Sequence, residues 1–197
     1  FDRCKGLTSI IVDSDNPNYD SRNNCNAIIQ TDSNILLTGC STTVIPNTVT
    51  MIGDRAFSYS NITSITIPNS VTTIREFAFY RCYDLESVTI GDSVDTIRWR
   101  AFDNCTTLTS IVIPNSVTSI GANAFYNCRN LKSAILSNSI DTISSYTFYG
   151  CDSLTSIVIP NSVDNINGYA FYGCRGLRSV TIGSAVTSIS THAFEEI

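Results

Sequence analysis

Seven phenylalanines recur at an almost constant step. Phe57, Phe79, Phe102, Phe125, Phe148, Phe171 and Phe194 are separated by 22 and then five times 23 residues. Self-similarity at a step between 20 and 50 residues is the signature of a stacked-repeat architecture. It outweighs a reading of 197 residues as one or two globular domains. Phe1, Cys4 and Leu7 copy the offsets of Phe125, Cys128 and Leu131, so a partial unit opens the chain. The expectation is a solenoid over residues 1–197, a single array whose two ends fall inside repeats and whose units each contact only their neighbours.

Each unit follows L-x-S-[IV]-x-[IV]-P-N-S-V-x-x-I-x-x-x-A-F-x-x-C-x-x. The β-branched run L-x-S-I-V-I suits a short strand. It is ended by Pro46, Pro68, Gly91, Pro114, Pro160 or Gly183, because proline cannot donate to a ladder. The following V-T-x-I alternates and reads as a second short strand. The A-F-x-x-C-x-x-L segment has helical offsets and predicts about one and a half turns of helix. Stacking gives an α/β solenoid with a parallel sheet on one side and short helices on the other. About eight rungs are centred near Ile10, Val44, Ile65, Val88, Ile111, Ala134, Ile157 and Val180. At strand spacing the slab is roughly 35–40 Å long. Leucines (Leu85, Leu108, Leu131), isoleucines (Ile74, Ile97, Ile120) and the phenylalanines each form a buried column. One unit is ten residues longer, and within residues 13–41 the runs Cys25–Thr31 and Ile35–Cys40 flank Asp32-Ser33-Asn34 as a β-hairpin.

Composition narrows the partners. The net charge is −5 and the basic residues are scattered along the chain, which leaves no cationic track for nucleic acid. No apolar run reaches the length of a membrane span. There is no initiator Met or signal-peptide pattern. Charged residues make up 15%, and Ser, Thr and Asn take their place in a surface of the kind common outside cells.

Candidate chemistry is sparse. Cys4, Cys82, Cys105, Cys128, Cys151 and Cys174 lie three residues after the phenylalanines and read as small buried hydrophobes. Paired spacings for zinc are absent. Cys25 and Cys40 bracket the hairpin, where either a disulfide or two free thiols fits. Asp13–Asp20 lacks the glycine and glutamate of an EF-hand loop and reads as turns. His192 is the only histidine and has no nucleophile at triad spacing. The expectation is a protein without catalytic residues, metal or cofactor.

The motif I-P-N-S-V-T-S-I-G-x-x-A-F-x-x-C-x-x-L resembles the BspA-type, or treponemal-type, leucine-rich repeat. Asn16–Ile29 is similar to an insert that recurs in that family. The resemblance covers essentially the whole chain and departs from the pattern at Tyr59 and Ser60, where one residue and the cysteine are missing. It implies a leucine-rich-repeat right-handed superhelix with a concave parallel sheet and convex helices. It also implies a non-enzymatic, adhesin-like protein at the cell surface or secreted, and a protein or glycan ligand.

Two surfaces are candidates for that ligand. On the sheet, Ser110, Ser133 and Ser156 flank Val112, Ile135 and Val158, an outward apolar strip that reflects either docking or β-propensity alone. Around the phenylalanines, the variable Phe77, Trp99, Arg100, Tyr146 and Tyr169 adjoin Tyr126, Tyr149 and Tyr172. Aromatics and arginine are enriched at interfaces, and rings can stack on sugars; the alternative is that the tyrosines cover helix ends. A spacer that presents another domain is the competing role. Unfinished columns at both ends predict end-to-end self-association.

Overall fold

The computed structural model describes residues 3–197, so Phe1 lies outside the described residues. The chain is a β-solenoid with two ribbons of parallel strands and a third side made of turns. The first ribbon consists of Ser64–Ile67, Ser87–Ile90, Ser110–Val112, Ser133–Ile135, Ser156–Val158 and Ser179–Thr181. The second consists of two-residue strands, from Met51–Ile52 and Thr73–Ile74 on to Ser188–Ile189. This confirms V-T-x-I as a strand. Registers follow the sequence step, as in Ser64↔Ser87 and Thr96↔Ser119.

The first ribbon is not one continuous sheet. Its strands pair in twos: 64–67 with 87–90, 110–112 with 133–135, and 156–158 with 179–181. Each break precedes a rung ending in Pro114 or Pro160. Bonding in a parallel ladder alternates along the strand, and at these positions proline has no N–H to return to the rung before. On the other side of the proline the rungs press together. A Cβ on Gly91 would lie 2.7 Å from the Pro68 carbonyl carbon, and one on Gly183 would lie 2.3 Å from the Pro160 oxygen. From Pro68 on, proline thus ends every second rung (Pro68, Pro114, Pro160), with Gly91, Ser137 and Gly183 between, a two-rung period within the 23-residue one.

The predicted helices do not form. Among the described residues the only helix is a single 3-10 turn, Arg22–Asn24. The A-F-x-x-C segment is instead a chain of turns. The residues two before and two after each phenylalanine are left-handed, as Asn123 (φ +60°) and Asn127 (φ +54°) show around Phe125. Alternate N–H groups then point at the next rung: Asn123 to Ser145 O (3.1 Å), Phe125 to Thr147 O (2.9 Å) and Asn127 to Tyr149 O (2.7 Å). An α-helix would direct those donors along its own axis.

Core columns follow the sequence. The rings of Phe57, Phe79, Phe102, Phe125, Phe148, Phe171 and Phe194 stack at centroid separations of 4.9–5.4 Å with planes within 7°. Cys82, Cys105, Cys128, Cys151 and Cys174 are buried, and each thiol donates to the phenylalanine carbonyl one rung back, at 2.9–3.4 Å. Cys4 departs from its column and is exposed. The rung placed near Val44 centres one residue earlier. Thr43 turns inward and donates to Asn26 O (2.6 Å), whereas Val44 is 73% exposed.

The expected hairpin is present and larger than its pattern showed. Strands β1 (Tyr19–Asp20), β2 (Ala27–Gln30) and β3 (Ile35–Gly39) form an antiparallel sheet. β3 then continues the second ribbon in parallel, with Leu36 opposite Ile52. Gly39 lies against the Phe57 ring, where an added Cβ would sit 2.1 Å from ring carbon Cε1, so the hairpin closes that end of the phenylalanine column. Arg22 ties it together, donating from Nε to Asp20 (2.7 Å) and from Nη1 to Asn34 (2.7 Å).

Phe125→Ala is expected to lower unfolding free energy by about 3–5 kcal/mol in denaturant titration. Gly91→Ala should cost about 1–3 kcal/mol. Gly168→Ala, whose Cβ would meet nothing closer than 3.6 Å, should be neutral or slightly stabilising.

Candidate functional site

Strand alternation decides what the sheet shows to solvent. Ile111 and Ile157 point inward at 1% and 2% exposure, and their neighbours Val112, Ile135 and Val158 point outward at 56%, 61% and 61%. Ser110, Ser133 and Ser156 are exposed beside them. The structure therefore brings the six predicted sheet residues onto one face. Val112 and Ile135 line a groove of about 650 Å³, with Thr89 on one flank and Asp92, Asn115 and Asn138 at its edge. The groove crosses the unpaired junction between strands 87–90 and 110–112.

The turn side divides into two aromatic regions. In the first, the Phe77 ring meets Trp99 edge-on at 4.7 Å and Tyr80 at 5.2 Å. The Arg55 guanidinium lies 4.2 Å from the Phe77 centroid, and that of Arg100 lies 5.1 Å from Trp99 and 5.9 Å from Tyr126. Arg100 also pairs with the fully buried Asp103 at 3.0 Å. Burial pushes the Asp103 carboxyl upward, and Arg100 pulls it back. Arginines scattered in sequence are thus gathered by stacking, since Arg55, Arg81 and Arg100 occupy adjacent rungs.

In the second region the tyrosines form two ladders. Tyr126, Tyr149 and Tyr172 stack at 4.7 and 5.1 Å, and Tyr146, Tyr169 and His192 stack at 5.0 Å each. Among the described residues no helix end lies beside them for them to cover. Within each ladder the rings cover one another's faces and present edges and hydroxyls instead, so sugar stacking has little ring face to use there. Trp99 is the aromatic of this flank left 44% exposed.

Cys25 and Cys40 are both buried free thiols, so no bridge links them. The Cys40 thiol turns to Asn26 O at 3.4 Å. Burial pushes the thiols of Cys82, Cys105, Cys128, Cys151 and Cys174 upward, the last to about 12. Such groups are poor nucleophiles. In the Asp13–Asp20 segment, side-chain oxygens accept from nearby backbone: Asp13 from Asp15 N–H (2.9 Å) and Asn16 from Asn18 and Tyr19 N–H (3.0 Å each). These are the turns expected there. No helix among the described residues is long and apolar enough to cross a membrane.

The sequence model of the BspA-type leucine-rich repeat region, with six copies, matches residues 33–146 and 74–197. The chain belongs to this family. A leucine-rich-repeat protein of T. pallidum is 28% identical over 82% of this chain and 80% of its own, with a TM-score of 0.73. A leucine-rich-repeat protein from Eubacterium ventriosum is 24% identical over 99% of this chain and 54% of its own, with a TM-score of 0.74. A leucine-rich cell surface protein from Faecalibacterium prausnitzii is 34% identical over 77% and 50%, with a TM-score of 0.57. The chain spans about half the length of the last two. No curated protein sequence matches it significantly.

Native alkylation is expected to modify Cys4 alone. After denaturation without reductant all eight thiols should react, and mass spectrometry reads both counts.

Proposed function

We propose that this chain is a non-enzymatic recognition module of a surface or secreted protein. In this reading it binds a protein through the sheet strip Val112–Ile135–Val158. The observation that carries the reading is exposure: three β-branched apolar side chains on consecutive rungs are each more than half exposed. Exposed contiguous apolar surface marks interaction sites, and regularly spaced apolar knobs along an extended ribbon suit a protein partner. The cell-surface name of the F. prausnitzii relative supports the address.

The test is interferometry against a panel of extracellular-matrix proteins. Val112→Arg with Val158→Arg should weaken capture by about 10–100-fold, the range for losing central interface anchors. Binding to none of the panel, or binding indifferent to the double variant, would favour a spacer role.

A further inference from the structure

A second site follows from comparing the same position in successive rungs. The residue two places after each core phenylalanine is left-handed throughout: Tyr59, Arg81, Asn104, Asn127, Gly150, Gly173 and Glu196 have φ between +54° and +70°. Five of these seven carry side chains, so the backbone there does not demand glycine. A Cβ on Gly173 would meet nothing closer than 3.8 Å. What the two consecutive glycines remove is bulk. They leave a hollow of about 300 Å³ bounded by Tyr149, Tyr172, Arg129, Asp152, Arg175 and Glu196.

The chemistry of that wall selects a ligand class. Two guanidiniums and two carboxylates make its formal charge zero. Arg175 pairs with Glu196 at 3.5 Å, and the Asn127 side-chain oxygen lies 2.4 Å from where a Gly150 Cβ would be. Glu196 beside it pushes the Tyr172 hydroxyl up to about 12, and a phenol hydroxyl can both donate and accept. The wall therefore carries both donors and acceptors. A phosphate or sulfate would face two carboxylates, and an apolar ligand would strip water from charges without replacing it. Vicinal hydroxyls, each donor and acceptor at once, satisfy both signs. The edges of the stacked Tyr149 and Tyr172 rings, 5.1 Å apart, offer apolar contact beside them.

We propose that the hollow at Gly150 and Gly173 binds an uncharged saccharide unit. It is separate from the sheet strip and does not depend on that strip's role. The experiment titrates the 197-residue chain with neutral oligosaccharides of glucose, mannose, galactose and N-acetylhexosamine. Amide chemical shifts provide the readout. Shifts should centre on residues 127–129, 150–152 and 173–175. Gly173→Asn fills the hollow in a conformation that Asn104 and Asn127 already adopt, so it should leave Tm unchanged. It should weaken binding at least about tenfold, as should Arg129→Ala through loss of a charged hydrogen bond. Val112→Arg should leave this binding intact. Absence of shifts with every neutral sugar, binding of sulfated glycans or acidic peptides alone, or parent-like affinity in a folded Gly173→Asn would overturn the proposal.

Discussion

Lateral hydrogen bonding between rungs is the constraint from which this structure follows. Backbone N–H groups run from rung to rung on all three sides: through the second ribbon, through the first wherever its strands pair, and through the turn side by Phe57 to Ala78, Phe79 to Ala101 and onward. The cost is local. Left-handed conformations at Arg55, Phe77 and Arg100 each cost about 1–2 kcal/mol, and each neighbouring lateral bond returns about 0.5–1.5 kcal/mol. A turn segment of this kind has no stability by itself, and it persists because rungs lie above and below it. Stacking is therefore a condition for local structure, and not only for burial.

The same spacing dictates which side chains fill the core. Phenylalanine separations of 4.9–5.4 Å follow the rung repeat, and each ring occupies the space that the next one leaves. Cysteine suits its column because it is small enough for the layer and its thiol reaches the phenylalanine carbonyl one rung back. Alanine would leave that acceptor with fewer partners. Surface hydroxyls act similarly: Thr107 donates to Tyr83 O (2.8 Å), Ser139 to Asn115 O (2.7 Å) and Ser144 to Ile120 O (2.7 Å). Much of the Ser and Thr content thus serves the stack, which weakens it as a marker of an extracellular surface.

The columns were legible because burial repeats at the same positions through the rungs from Ile52 to Leu177. The helix was misread for a physical reason: apolar residues at A, F and C offsets suit both a helix and a run of turns with alternating handedness. A signal existed in the column two after phenylalanine, where Asn104, Asn127, Gly150 and Gly173 share the residue types that tolerate positive φ. Tyr59 and Arg81 in that column obscured it. Thr43 hid the register of its rung in the same way, because a threonine turned inward looks polar until its partners Asn26 and Cys40 are placed. The sheet strip was legible from alternation alone, whereas the gathering of Arg55, Arg81 and Arg100 required knowing the stacking step.

In a solenoid the repeated positions specify architecture, so recognition must reside where a column departs from itself. Val112, Ile135 and Val158 stand on three successive rungs between Thr66 and Thr89 on one side and Thr181 on the other, in a column that is also apolar at Ile11 and Val44. Gly150 and Gly173 interrupt one filled elsewhere by larger side chains. A proline at the end of every second rung interrupts the sheet itself, at the junction where the 650 Å³ groove runs. Each departure lies at positions whose backbone is fixed by unchanged rungs on both sides. A side chain exchanged there alters the surface while the lateral ladder holds the fold, which is how one repeat can carry unrelated ligand sites on different faces.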